Sequence, residues 1–212
     1  MTTLVVIAKE CLPGRVKTRL HPDLSFEQAA QAASASLADT FAALAELPAD
    51  RRILAFDGIV PPPGSEPYDV IPQTAGDLDQ RLAAVFDDAE GPTLLVGMDT
   101  PQLLAADLAP FFPWPDDADF VFGPALDGGF WCLGMREPRG ELIRGIPMSR
   151  DDTGVLQLRR LCAAGGAAGG VIRVLPPLMD VDTIVEARAV AALAPETRFA
   201  RALATMVESV GA

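Results

Sequence analysis

Histidine is almost missing from the 212-residue chain: His21 stands alone, which removes multi-histidine metal centres and leaves one imidazole as a candidate base. Its plain alternative is a turn residue in the linker before a helix. The three cysteines, Cys11, Cys132 and Cys162, are odd in number and far apart, with no Cys-x-x-Cys pair. That excludes a disulfide framework and a structural zinc site and suits a reducing compartment. Only Cys11 lies near the basic segment described below, as a small filler or a reactive thiol. No apolar run approaches the ~20 residues that cross a bilayer, and no basic segment, apolar core and cleavage site precede the first strand. These absences predict a soluble, cytoplasmic protein with no membrane partner. Cations are scarce: 17 Lys and Arg face 29 Asp and Glu, a net charge of -12. Such a chain is a poor nucleic-acid binder, because affinity for that backbone comes from neutralising phosphates. Neither Gly-x-x-x-x-Gly-Lys-Ser/Thr nor Gly-x-Gly-x-x-Gly after a strand occurs, which sets aside a P-loop ATPase and a Rossmann dehydrogenase. There is no internal repeat.

Against that acidic background the first twenty residues stand out. Leu4 to Ala8 is an apolar strand, and Lys9, Arg15, Lys17 and Arg19 follow it around a Pro13-Gly14 turn. Gly lets backbone approach a ligand, Lys supplies a compact charge and Arg grips phosphate oxygens in a fork. The alternative is a solvated basic loop. The overall charge favours the first, since a polyphosphate is repelled from most of an acidic surface and attracted to a local basic patch.

Further along, Ser25 and Gln28 predict a capping box opening a helix that runs to Leu47 before Pro48. Strands are expected at Arg52 to Phe56, Tyr68 to Ile71, Thr93 to Gly97, Asp119 to Phe122, Phe130 to Leu133 and Val171 to Leu175. Pro61 to Gly64 reads as a surface loop. A helix after Asp77 would bury Leu78, Leu82, Val85 and Phe86. Asp99 follows a buried strand, where open α/β sheets bind ligands, although a helix N-cap is its other role. Pro101 would open the next helix at its first position. Pro124 to Gly129 is a tight turn, either a plain hairpin at Asp127-Gly128 or an insertion on the ligand side of the sheet. Helices are expected over residues 140–146 and 154–164, with residues 165–170 as a flexible connector. Thr183 and Glu186 predict a second capping box. Asp180 and Asp182, two apart in an extended segment, point the same way. The strand and helix alternation predicts one three-layer α/β/α domain over residues 1–212 with a mostly parallel sheet.

Ala8-Lys9, Pro13 to Leu20, Gly76-Asp77-Leu78, Gly97 to Pro101, Gly123 to Phe130 and Asp180 to Thr183, in that order, resemble the nucleotide-diphospho-sugar transferase superfamily of GT-A fold. The nearest branch is a group of bacterial proteins labelled glycosyltransferases associated with radical-SAM genes. Lys17 to Leu20 is also similar to phospholactate-type guanylyltransferases. The resemblance implies that Lys9, Gly14, Arg15, Lys17 and Arg19 line nucleotide phosphates, with Lys17 and Asp99 catalytic. It implies that Asp99 with Asp180 or Asp182 holds Mg²⁺ (or Mn²⁺), and that Asp127, Gly128 and Gly129 border an acceptor pocket. Asp79, Phe130 and Met148 depart from the branch, at positions usually Gly, Tyr and Trp. The first functional expectation is transfer of a nucleotidyl group from an NTP to a small phosphorylated acceptor. The alternative is glycosyl transfer from an NDP-sugar with Asp127 as base. A third is nucleotide binding without turnover.

Overall fold

In the computed structural model of the chain, residues 1–165 and 170–210 are described. Seven strands form one sheet: β1 (Thr3–Lys9), β2 (Arg51–Asp57), β3 (Asp69–Pro72), β4 (Thr93–Val96), β5 (Phe120–Pro124), β6 (Phe130–Met135) and β7 (Ile172–Val174). Their spatial order is β3-β2-β1-β4-β6-β5-β7. All pairs are parallel except β4 with β6 and β5 with β6. The fold is therefore α/β with a mostly parallel sheet.

Alternation along the strands builds two cores. In β1, Leu4, Val6 and Ala8 face one side while Val5 and Ile7 face the other, the period of two that a strand imposes. On the first side lies α1 (Phe26–Ala45), whose Ala30, Ala33, Leu37, Phe41 and Leu44 form the inward stripe. On the second lie α2 (Leu78–Asp87) and α4 (Thr153–Ala164), through Leu82, Val85, Phe86 and Leu161. Between them in sequence is the short α3 (Ala105–Leu108). The last helices, α5 (Ile184–Leu193) and α6 (Arg198–Val210), cover the outer face of α1 through a third cluster that includes Ala32, Val190 and Phe199. Among the described residues no helix is long and apolar enough to cross a membrane.

Both expected capping boxes form, at Ser25–Gln28 and at Thr183–Glu186. Three local expectations fail. Pro101 opens no helix: Leu103 closes a turn onto the Thr100 carbonyl, Gln102 is tied to the Met179 carbonyl, and α3 begins only after Leu104. Residues 140–146 hold one 3-10 turn, Gly140–Leu142, because Gly145 takes a left-handed φ of 77° and Pro147 follows. Leu78 is 40% exposed and does not join the apolar face of its helix. The expected connector at residues 165–170 lies largely outside the described residues.

Candidate active site

The carboxyl ends of β1 and β4 lie side by side, and the chain turns away from them in opposite directions, toward β2 on one flank and β6 on the other. That crevice is the switch point at which open α/β sheets take their ligands. The basic loop leaves β1 here. Its tip is a turn closed by the Arg15 amide on the Leu12 carbonyl, with Gly14 at φ 73°, a conformation glycine adopts without penalty. Buried Val16 and Leu20 pin the far side of the loop to the core. Between them Lys17 also adopts a left-handed backbone, φ 48° and ψ 37°, which is uncommon for a residue with a β-carbon.

This turn sends the Lys17 side chain inward, where it is only 7% exposed. Its Nζ lies 2.8 Å from Asp99 Oδ1 and 3.4 Å from Asp182 Oδ1. Burial alone would lower the pKa of this ammonium, but the charge and hydrogen bond of Asp99, with Asp182 and Asp180 behind them, reverse the sign and raise it. Arg19 is mostly exposed and donates to Asp182 Oδ2 at 2.9 Å.

The carboxylates reach this point through backbone contacts between distant segments. The Ser36 hydroxyl of α1 donates to the Met98 carbonyl, and the Val181 amide donates to the Asp99 carbonyl at 3.1 Å. Gln102 Nε2 adds a bond to Met179, so residues 179–182 are stitched along the end of β4. The capping box at Thr183 then fixes where α5 starts, leaving Asp182 beside the two cations. Asp180 faces the same cluster. Burial, together with Asp99 and Asp127, pushes its carboxyl up to about 7. Asp180 Oδ1 is buried with no hydrogen-bond partner, and so are Thr100 Oγ1 and Gln102 Oε1 in the adjoining turn.

Among the described residues no three His, Cys, Asp or Glu side chains converge as a complete metal centre. The fit to a divalent cation is of another kind. Asp99 and Asp180 offer oxygens on one side of the crevice, an ammonium already sits against Asp99 as a stand-in cation, and Asp180 retains an unsatisfied buried oxygen. A hard ion such as Mg²⁺ takes one or two carboxylates and completes its shell with water and substrate phosphate.

Beside this cluster a cleft of about 370 Å³ opens between β1, β4 and β6. Ile7, Ala8, Gly97, Phe130, Trp131 and Met148 line it, with Asp99, Thr100 and Asp180 at one end. Gln73 lies at the other, donating from Nε2 to the Ala8 and Ala55 carbonyls at 2.8 and 3.0 Å, and so closing the ends of β1 and β2. Arg81 is committed to the Gly76 carbonyl, Asp57 and Gln73. The β5–β6 turn forms the third wall. Asp127 is exposed and accepts from the Gly129 amide at 2.8 Å. Gly128, at φ 92°, packs so closely that an added β-carbon would come within 2.1 Å of the Asp151 carbonyl oxygen.

Of the residues singled out from sequence, Lys9, Lys17, Arg19, Asp99, Asp180, Asp182 and Gly129 line this crevice or its neighbouring recess. Gly14 and Arg15 stand at the exposed tip of the loop, outside that lining, and Gly128 lies behind Gly129. Of the two roles considered for Asp99, the structure has no helix for it to cap. Asp127-Gly128 is a hairpin turn that also borders the cleft through Gly129. Two of the three departures, Phe130 and Met148, are cleft residues, whereas Asp79 accepts from the Gly145 amide and anchors the loop opposite. His21 stacks on Phe26 and is a turn residue. Burial and the nearby Asp99 push the Cys11 thiol up to about 11, so it is protonated near neutrality and a poor nucleophile. Sequence reasoning missed Gln73 and Arg81. Gln73 offered a signal, a polar residue directly after a strand, whereas Arg81 lies within α2 and offered none.

No curated protein matches the chain. Among solved structures, a candidate nucleotide-diphospho-sugar transferase from Desulfovibrio desulfuricans G20 superposes with a TM-score of 0.82 at 21% identity, covering 98% of this chain and 97% of that one. CMP:2-keto-3-deoxy-manno-octonic acid synthetase, solved with CTP, gives 0.55 at 11% identity over 92% and 98% of the two chains. The Rv0371c protein of Mycobacterium tuberculosis H37Rv, solved with manganese, gives 0.51 at 22% over 89% and 96%. At these identities the likeness is one of fold. At the level of sequence, residues 28–150 match a family described as "Uncharacterized protein conserved in bacteria (DUF2064)", and since that span is more than half of the chain, the chain belongs to this family.

Proposed function

We propose that the chain is a divalent-metal-dependent transferase acting on a nucleotide, with nucleotidyl transfer from an NTP as its reaction. The observation that carries this reading is the meeting of Lys9, Lys17 and Arg19 with Asp99, Asp180 and Asp182 at the β1/β4 switch point. The fold neighbours solved with CTP and with manganese support it.

In this reaction an acceptor oxygen forms a bond to the α-phosphorus, the bond from that phosphorus to the bridging oxygen breaks, and pyrophosphate leaves. The chemistry asks for positioned charge more than for covalent help from the protein. Lys9, Lys17 and Arg19 hold phosphate oxygens, and Arg15 at the loop tip adds long-range attraction in an otherwise acidic surface. Asp99 and Asp180 would hold Mg²⁺ or Mn²⁺, which when bound neutralises phosphate charge and fixes the orientation of the reacting groups. The β5–β6 turn, with Asp127 and Gly129, borders the acceptor end of the cleft, and Phe130, Trp131 and Met148 give that end an apolar floor.

A second reading, glycosyl transfer from an NDP-sugar, is favoured by one feature. Asp127 is an exposed carboxylate on the acceptor side, near enough to Asp180 to raise its pKa, and so placed to take a proton from an acceptor hydroxyl. Incubation with each NTP, Mg²⁺ and a panel of small phosphorylated acids and sugars separates the two. Pyrophosphate release with one NTP, lost in Asp99→Ala, is the expected result. Release of a nucleoside diphosphate from an NDP-sugar would replace it with the second reading, and binding without either product would leave a nucleotide-binding protein.

A further inference from the structure

The side chain at the centre of the site is already engaged. Lys17 holds Asp99 at 2.8 Å and Asp182 at 3.4 Å, and its ammonium is almost wholly shielded from water. An ammonium and a divalent cation compete for carboxylate oxygens, and two cations a few ångströms apart in a partly desolvated pocket repel strongly. We propose that Lys17 is a tethered counter-ion that holds the metal position in the free protein, so that metal enters together with the nucleotide, as their chelate, and not ahead of it. This inference rests on the nucleotide reading above for its second half and on the geometry of Lys17 for its first.

The charges explain the order of events. Asp99, Asp180 and Asp182 carry three negative charges when ionised, and Lys17 and Arg19 return two positive ones, so the free cluster is close to balance. A divalent ion arriving alone would turn the one surplus negative charge of the cluster into one surplus positive charge beside the shielded Lys17 ammonium, and would displace Lys17 from Asp99 with nothing to receive it. A metal–triphosphate complex brings net negative charge and phosphate oxygens that accept the three N–H groups of the displaced ammonium. Room for the movement exists. The recess lined by Lys17, Arg19 and Ser149 lies directly beside the main cleft, and Lys9, Met98 and Asp99 line both. The left-handed backbone at Lys17 holds its side chain toward the carboxylates until a competing anion is present.

The direct test is titration of the full chain with Mn²⁺, followed by the electron paramagnetic resonance of the free ion, for the wild type, Lys17→Met and Lys17→Arg. Without nucleotide, Lys17→Met is expected to bind Mn²⁺ at least ~10-fold more tightly than wild type, within the usual range for coupled sites. Lys17→Arg keeps a cation in place and is expected to bind as weakly as wild type. Equal Mn²⁺ affinity in wild type and a folded Lys17→Met would overturn the proposal. Should Lys17→Met fail to fold, the ¹⁵N resonance of the Lys17 ammonium in the wild type decides. It should be unmoved by Mg²⁺ alone and shift when NTP and Mg²⁺ are added together, and a shift with Mg²⁺ alone would overturn the proposal. If nucleotides change nothing while Lys17→Met still tightens Mn²⁺ binding, the counter-ion role stands and the nucleotide reading fails.

Discussion

Two short segments of the molecule repeat one pattern with different outcomes. The loop after β1 carries Arg15 and Lys17, and the segment before α5 carries Asp180 and Asp182, each pair two residues apart. Arg15 is exposed at the loop tip while Lys17 is buried against two carboxylates. Asp182 is held by two cations, while Asp180 retains a buried oxygen without a partner and a raised pKa. Residue type and spacing do not distinguish the members of either pair. What separates them is the backbone: a left-handed turn at Lys17, and a Val181 amide bonded to the Asp99 carbonyl that sets the direction of its neighbours. In each segment one charge is committed within the protein and the other is not.

The contrast can be tested by removing each committed or available group. The largest effect is expected from Asp99→Ala, which takes away the nearest partner of Lys17 and, on the proposed reading, a metal oxygen. Metal-dependent turnover should fall by about 10²- to 10³-fold, the scale of losing one electrostatic contact to a reacting centre. Single-turnover rates at saturating nucleotide would measure it. Gly128→Ala, on the third wall, should be next, because the new β-carbon meets the Asp151 carbonyl and the backbone is left-handed. A loss of about 2–3 kcal/mol in urea unfolding is expected, and a neutral substitution would show that this wall yields.

Asp180→Asn tests the second pair through pH. The carboxyl moves from 3.8 to about 7 on folding, so the folded state binds the extra proton. In metal-free buffer, stability should fall as the pH rises from about 4 to about 7, and the substitution should flatten that slope. Urea midpoints across this window would check it, and an unchanged slope would place Asp180 in a more solvated setting. The smallest effect is expected from Arg15→Ala, within about 0.5 kcal/mol of wild-type stability because the side chain is an exposed charge away from packing. Its signature should be slower nucleotide association at low salt, seen by stopped-flow mixing and lost as the ionic strength rises.

Much of this architecture was legible in the chain. The two capping boxes depend on side chains three residues apart, and alternation along β1 depends on residues two apart, so each is a local property. The places of Lys17 in the loop after β1 and of Asp99 just after β4 followed from the same local reading, whereas the Asp180–Asp182 segment is brought to them by long-range backbone bonds. The pairing of Lys17 with Asp99 did not, because it is decided by strand order and by a left-handed turn at a lysine, a conformation that composition does not announce. Gln73 and Arg81 escaped for a related reason. Their roles are bonds to strand-end carbonyls and to a neighbouring side chain, and those partners meet only once β1, β2 and β3 are aligned. Pro101 misled in the opposite direction: a residue suited to begin a helix is held in a turn by the tertiary bond from Gln102 to Met179.

On the reading proposed above, the β1/β4 crevice binds a nucleotide together with a divalent cation. The most direct measurement is the thermal unfolding of the wild-type chain against NTPs and NDP-sugars, each with Mg²⁺, with Mn²⁺ and with EDTA. A ligand at ~100 times its dissociation constant stabilises by about 2.7 kcal/mol. The expected result is a rise in Tm with one base, present with metal, absent in EDTA and absent in Asp99→Ala; no rise with any nucleotide under any metal condition would mean that the crevice is not a nucleotide site.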